Sequence, residues 1–68
     1  MNTERARLVL LMASTRGPRN VERHGAPVTV HPKGWFCRGC RISGTWRGDP
    51  DSTPILLAAF VQRHQRCA

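Results

Sequence analysis

Cys37-Arg38-Gly39-Cys40 in the middle of the chain and His64-Gln65-Arg66-Cys67 near its end are the stretches whose reading decides the fold. They hold all three cysteines and one of the three histidines, as a C-x2-C and an H-x2-C with 23 residues between them. Zinc favours thiolate and imidazole ligands in a tetrahedron, and four protein ligands leave no open position for a reacting water. Cys37, Cys40, His64 and Cys67 therefore predict one structural Zn2+ site of three cysteines and one histidine. Two other readings compete. One is a reduced CxxC beside a core histidine. The other is a thioredoxin-like redox pair, which needs a βαβ context that this pattern does not supply. His31, six residues before Cys37, is an alternative ligand, set against its reading as a surface histidine.

Length calls for a staple, either a disulfide or a metal. A chain of 68 residues buries too little apolar surface to gain much over its conformational entropy, so a staple is expected. Three cysteines cannot all pair within one chain, and the mixed Glu4, Arg5 and Arg7 segment before the apolar run Leu8 to Ala13 does not read as a secretory signal. The expected compartment is the cytoplasm, where clustered cysteines are more often metal ligands or redox groups than disulfides. No run approaches the roughly 20 apolar residues needed to cross a bilayer, so no membrane segment is expected.

Working outward from the first half-motif, Trp35-Phe36-Cys37 reads as a strand entering a tight turn at Arg38-Gly39, where Gly39 can take the positive φ that turns backbone amides toward thiolates. Residues 42–47 supply the returning strand, with Gly44 as a bulge or bend. Gly48-Asp49-Pro50-Asp51 is a turn by composition. Ser52 or Thr53 caps a helix from about residue 54 to 66, with Pro54 in its first turn. Leu56 or Leu57, Phe60 and His64 recur on one face, and Cys67 follows three residues later, which lets both ligands grip one ion at the helix end. About 12 helical residues span roughly 18 Å, enough to cover a hairpin and return to Cys37.

The first half of the chain carries less signal. Thr3 as N-cap, Glu4 in the first turn and Gly17-Pro18 as a stop predict a helix over about 4–14, with a short strand as the alternative. Leu8, Leu11 and Met12 share a face of it, although the run is apolar nearly all round, as in a helix buried against the metal module or another chain. Residues 16–27, with two glycines, two prolines and three arginines, read as a mobile basic linker; Arg16, Arg19 and Arg23 either follow a phosphate backbone or are solvated. Val28-Thr29-Val30 alternates as a strand, and Pro32-Lys33-Gly34 turns the chain. The expected fold is thus α+β: an N-terminal helix over 1–15, the linker over 16–27, and a zinc-stabilised ββα-type finger over 28–68.

Charge bears on partners. Eleven Lys+Arg against four Asp+Glu give a formal +7, and three thiolates around one divalent cation change that to about +6. Such a balance favours polyanions, chiefly nucleic acid, although ten of the eleven basic residues are Arg, a bias that genome composition can also impose. Arg38 and Arg41 flank the first half-motif, Arg47 lies across the hairpin, and Arg63 and Arg66 close the last helix; these five form the candidate nucleic-acid patch. Trp35, Phe36, Trp46 and Phe60 read either as a base-stacking platform or as the core. Asp49 and Asp51 sit in a turn without a nucleophile or base, and no catalytic constellation is present, so an enzyme is not expected.

The segment from Trp35 to Ala68 resembles small CCHC-type zinc-finger proteins of actinobacterial genomes, phages and mobile elements, in which an aromatic strand precedes C-x2-C and an alanine-rich helix ends in H-x2-C. The resemblance covers about half the chain and implies zinc at Cys37, Cys40, His64 and Cys67; the genetic setting of such proteins suggests DNA binding or plasmid transfer. The chain departs from the DNA-reading fingers of two cysteines and two histidines, which place about 12 residues between ligand pairs. The other expected partner is a protein, or a second copy of the chain, docked on residues 8–12.

Overall fold

The computed structural model describes residues 1–46 and 49–67. The first helix, α1 (Thr3–Arg16), is opened by Asn2 rather than Thr3: the Asn2 side chain accepts the Arg5 N–H at 2.8 Å, covering one of the unpaired donors of the first turn. Gly17 stops the helix with φ +95°, a backbone that glycine adopts without strain, and its N–H reaches the Ala13 carbonyl at 3.1 Å.

The inward face of α1 is not the one that Leu8, Leu11 and Met12 share. Ala6, Leu10 and Ala13 are buried, at spacings of four and three, whereas Leu8, Leu11 and Met12 face outward. Two alanines on the inner face let the helix backbone approach the sheet closely. In a run apolar all round, that small-residue stripe is the discriminating signal.

Residues 16–27, expected as a mobile linker, are built into the fold. They contribute β1 (Arg19–Asn20) and a 3-10 turn (Glu22–His24), and Val21 and Ala26 join the core. Then follow β2 (Val28–His31), β3 (Gly34–Cys37), β4 (Ser43–Thr45) and α2 (Ser52–Arg63). The four strands form one antiparallel sheet in the order β1-β2-β3-β4. The expected α+β class thus stands, with the β3–β4–α2 segment matching the ββα layout and β1 and β2 widening its sheet.

Strand register places the core. Val28 pairs with Cys37 and Val30 with Trp35, and all four side chains are buried. Thr29 and Phe36, paired with each other, lie on the opposite face. Helix α2 adds Thr53, Pro54, Leu57 and Val61, and α1 packs on both α2 and β2. Trp35 pairs across β3 and β4 with Gly44, and the indole covers that glycine: a Cβ at 44 would stand 2.3 Å from Trp35 Nε1. Gly44 is there for the indole and pairs in register, not as a bulge.

Helix α2 starts on a cap other than the expected Ser52 or Thr53. Asp49 accepts the Asp51 N–H at 2.9 Å and the Ser52 hydroxyl at 2.7 Å through its carboxylate, and its carbonyl accepts from the N–H and hydroxyl of the buried Thr53. These bonds hold the Asp49 carboxyl below its ordinary range, led by the Ser52 contact. Asp49 thus braces the turn into α2, whose N-cap, Asp51, forms no side-chain capping bond. Among the described residues no helix is long and apolar enough to cross a membrane.

Candidate metal centre

Four elements of chain deliver the four predicted ligands to one place. Cys37 ends β3 inside the core, Cys40 lies in the turn after it, His64 caps the C-terminus of α2, and Cys67 follows on a further turn. Their ligand atoms all lie within 4.8 Å of one another. His64 Nδ1 stands 3.1 Å from Cys40 Sγ and 3.3 Å from Cys67 Sγ, so Nδ1 is the nitrogen turned to the cluster. Metal bonds of about 2.0–2.3 Å in a tetrahedron set ligand atoms roughly 3.5–3.8 Å apart. The cluster has that scale. His31, exposed at the end of β2, is not part of it.

The turn between the two cysteines is fixed by the backbone. The Arg41 N–H bonds to the Cys37 carbonyl and the Cys37 N–H to the Ile42 carbonyl, each at 2.8 Å, which wraps the chain around Cys37 before β4 begins. The positive φ expected at Gly39 belongs instead to Arg41, at 64°. Gly39 is needed for a different reason. A Cβ there would fall 1.7 Å from the Cys67 carbonyl oxygen, so only a glycine lets the last turn close against the first half-motif.

Helix α2 ends at Arg63, earlier than expected, and a turn rather than helix carries the chain to Cys67; the Cys67 N–H bonds to the His64 carbonyl at 3.2 Å. The three-residue step between the ligands survives because that turn folds back on His64. Phe60, one helical turn earlier, stacks on the imidazole at 4.2 Å between ring centroids and meets Trp35 edge-on at 6.2 Å. The aromatic core thereby fixes the orientation of a ligand ring. With Trp35 buried and Trp46 and Phe60 packed against the core, these three residues act as core, while Phe36 sits half-buried on the other sheet face.

Electrostatics in the cluster favour a cation. Burial opposes ionisation of the Cys37 thiol, yet the N–H groups of Cys40 and Gly39 and the thiols of Cys40 and Cys67 outweigh it and hold that thiol below its ordinary value. Cys67 is pushed up to about 11, by burial first and then by hydrogen bonding and negative charge from Cys40 and Cys37. Three thiols this close resist becoming three thiolates together. A divalent cation supplies the charge that lets them do so. The donor set therefore fits one metal ion held by Cys37, Cys40, His64 and Cys67.

The candidate arginines divide by environment. Arg38 is tied into the sheet: it forms an ion pair with Glu22 and donates to Thr29 Oγ1 at 3.2 Å and Asn20 Oδ1 at 3.4 Å, spanning β1, β2 and the 3-10 turn. Arg41, Arg63 and Arg66 are exposed and form no ion pair among the described residues. Arg47 lies outside the described residues. Composition alone did not signal the Arg38–Glu22 pairing, because the partners are 16 residues apart.

The fold and site together define a small α+β protein with a clustered three-cysteine, one-histidine donor set that could hold a metal ion. No family profile, curated protein or solved structure matches the chain.

Proposed function

We propose that the protein is a structural-zinc protein of the CCHC type whose arginine-rich surface binds nucleic acid, with DNA favoured. The convergence of Cys37, Cys40, His64 and Cys67 carries the first half of this reading. Sulfur and imidazole donors select zinc over hard cations such as magnesium, and four of them complete a tetrahedron, so the ion serves the fold and not a reaction. The proposal therefore assigns no enzymatic activity.

The nucleic-acid half rests on charge and its placement. The chain carries +7, and Arg41, Arg63 and Arg66 stand exposed around the metal cluster, which fixes their spacing. Such contacts go to phosphates and confer affinity without sequence readout. Three phosphate contacts release enough counterions to weaken binding roughly 40-fold between 50 and 200 mM salt. Fluorescence anisotropy of a labelled duplex with the zinc-loaded protein measures this. Binding that stays flat over that range rejects the reading.

A second reading, a protein-interaction adaptor, is supported by the outward position of Leu8, Leu11 and Met12, whose exposure of 51%, 60% and 39% makes an apolar strip on α1. Replacing Leu8 and Leu11 by glutamate then abolishes association, seen by sedimentation velocity, while zinc stays bound. A monomeric wild type with no partner lost on substitution rejects it.

A further inference from the structure

A second concentration of charge lies on the side of α1 that faces the 18–24 segment. Arg5 from α1, Arg19 from β1 and Arg23 and His24 from the 3-10 turn line one groove of about 430 Å³, with Val9 and Met12 in its walls. Among the described residues no acidic residue lines it. Two acids adjoin its arginines in sequence, Glu4 before Arg5 and Glu22 before Arg23; neither lines the groove, and Glu22 is paired with Arg38. Three arginines that are up to 18 positions apart in sequence thus line one space, and their like charges repel one another unless an anion enters it.

Two further observations point the same way. Arg19 Nε is buried and has no hydrogen-bond partner among the described residues. A buried guanidinium N–H without an acceptor is costly, and the acceptor that suits an arginine fork is a phosphate or carboxylate. His24 is held below its ordinary value by burial, then by the positive charges of the amino terminus, Arg5 and Arg23. The groove is therefore positive as well as arginine-lined. On the other side of His24, Gln65 from the end of α2 donates to the His24 carbonyl at 3.4 Å, which ties this turn to the chain between the two C-terminal ligands.

We infer that the groove between α1 and residues 18–24 is a phosphate-binding site, through which the chain grips a phosphodiester of a nucleic-acid backbone. The phosphodiester source rests on the nucleic-acid reading above; the phosphate chemistry rests on the groove alone. Arg19 and Arg23 bind the oxyanion, Arg5 closes it from the helix side, and the metal site contributes by fixing the turn that carries His24.

The test uses the zinc-loaded full chain. A labelled duplex oligonucleotide is titrated with wild type, with Arg19→Gln/Arg23→Gln, and with Arg16→Gln/Lys33→Gln, which removes the same charge outside the groove. The groove variant is expected to lose about tenfold or more in affinity, with a salt slope smaller by about 2, and the control to change far less. Arg23→Gln alone, an exposed position, gives about half that slope change and covers the case in which the double variant does not fold. In parallel, the His24 ring is titrated by NMR with inorganic phosphate and with chloride at matched ionic strength; phosphate is expected to raise its pKa and chloride not to. Equal losses in groove and control variants, with no phosphate effect on His24, overturn the groove while leaving duplex binding intact. A phosphate effect on His24 without any duplex binding keeps the phosphate site and overturns its phosphodiester source.

Discussion

Replacing Cys37 by serine is expected to yield a chain that holds no zinc and melts without a cooperative transition. Cys37 is both a ligand and a fully buried core residue, paired in register with Val28. A domain of this length has a net stability of roughly 3–10 kcal/mol, while a structural zinc contributes about 10–16 kcal/mol to folding in small modules. Loss of a ligand thus removes more than the whole margin. Cys40→Ser, at an exposed position, separates the two roles. It loses zinc without touching the core packing, so a loss of zinc and of the cooperative melt as complete as that of Cys37→Ser assigns the effect to the metal and not to the buried thiol. Zinc content by a colorimetric chelator assay and the far-UV circular dichroism melt give both readings. A Cys37→Ser protein that melts as wild type does contradicts the account.

Gly39→Ala is the second large effect. The added Cβ meets the Cys67 carbonyl oxygen at 1.7 Å, the carbonyl carbon at 2.5 Å and the Cys67 Cβ at 2.8 Å. The first two are backbone atoms, which cannot rotate away as a side chain can. Cys67 must therefore move outward, and it takes one of the four ligands with it. The expected results are a drop in zinc affinity of about 10–100-fold, as for disturbed support of a metal ligand, and a stability loss of about 1–3 kcal/mol, the usual cost of overpacking. Competition against a chromophoric chelator measures the first, and urea denaturation of the zinc-loaded protein the second. An unchanged affinity means that the close approach of the two half-motifs does not matter to the metal.

The cluster of three cysteines and one histidine was legible in the sequence because metal chemistry restricts residue type and local spacing at once. Cys37, Cys40, His64 and Cys67 needed no tertiary information beyond a helix able to return to the hairpin. The hairpin and last helix were legible too, from Trp35 to Cys37 and from Pro54 onward. What the sequence concealed depends on contacts between distant residues. The inner face of α1 is set by Ala6, Leu10 and Ala13 against the sheet, and an apolar run without periodicity gives no preference among its faces. The 16–27 segment looked like a linker by its glycines, prolines and arginines, yet Val21 and Ala26 enter the core, β1 pairs with β2, and Arg38 bonds to Asn20 and Glu22. Gly39 was marked as special for the wrong physical reason: the positive φ falls on Arg41, and Gly39 answers to a chain segment 28 residues away. Arg38, read as a free cation, became part of the sheet through Glu22.

The central claim is that a metal clasp closes this fold, and native mass spectrometry of the full chain with and without chelator, paired with a circular dichroism melt of the same samples, tests it most directly. The account predicts one zinc per chain, and loss of that zinc together with the folded structure when chelator is added. A chain that keeps its cooperative melt after losing the metal, or that binds none, contradicts it.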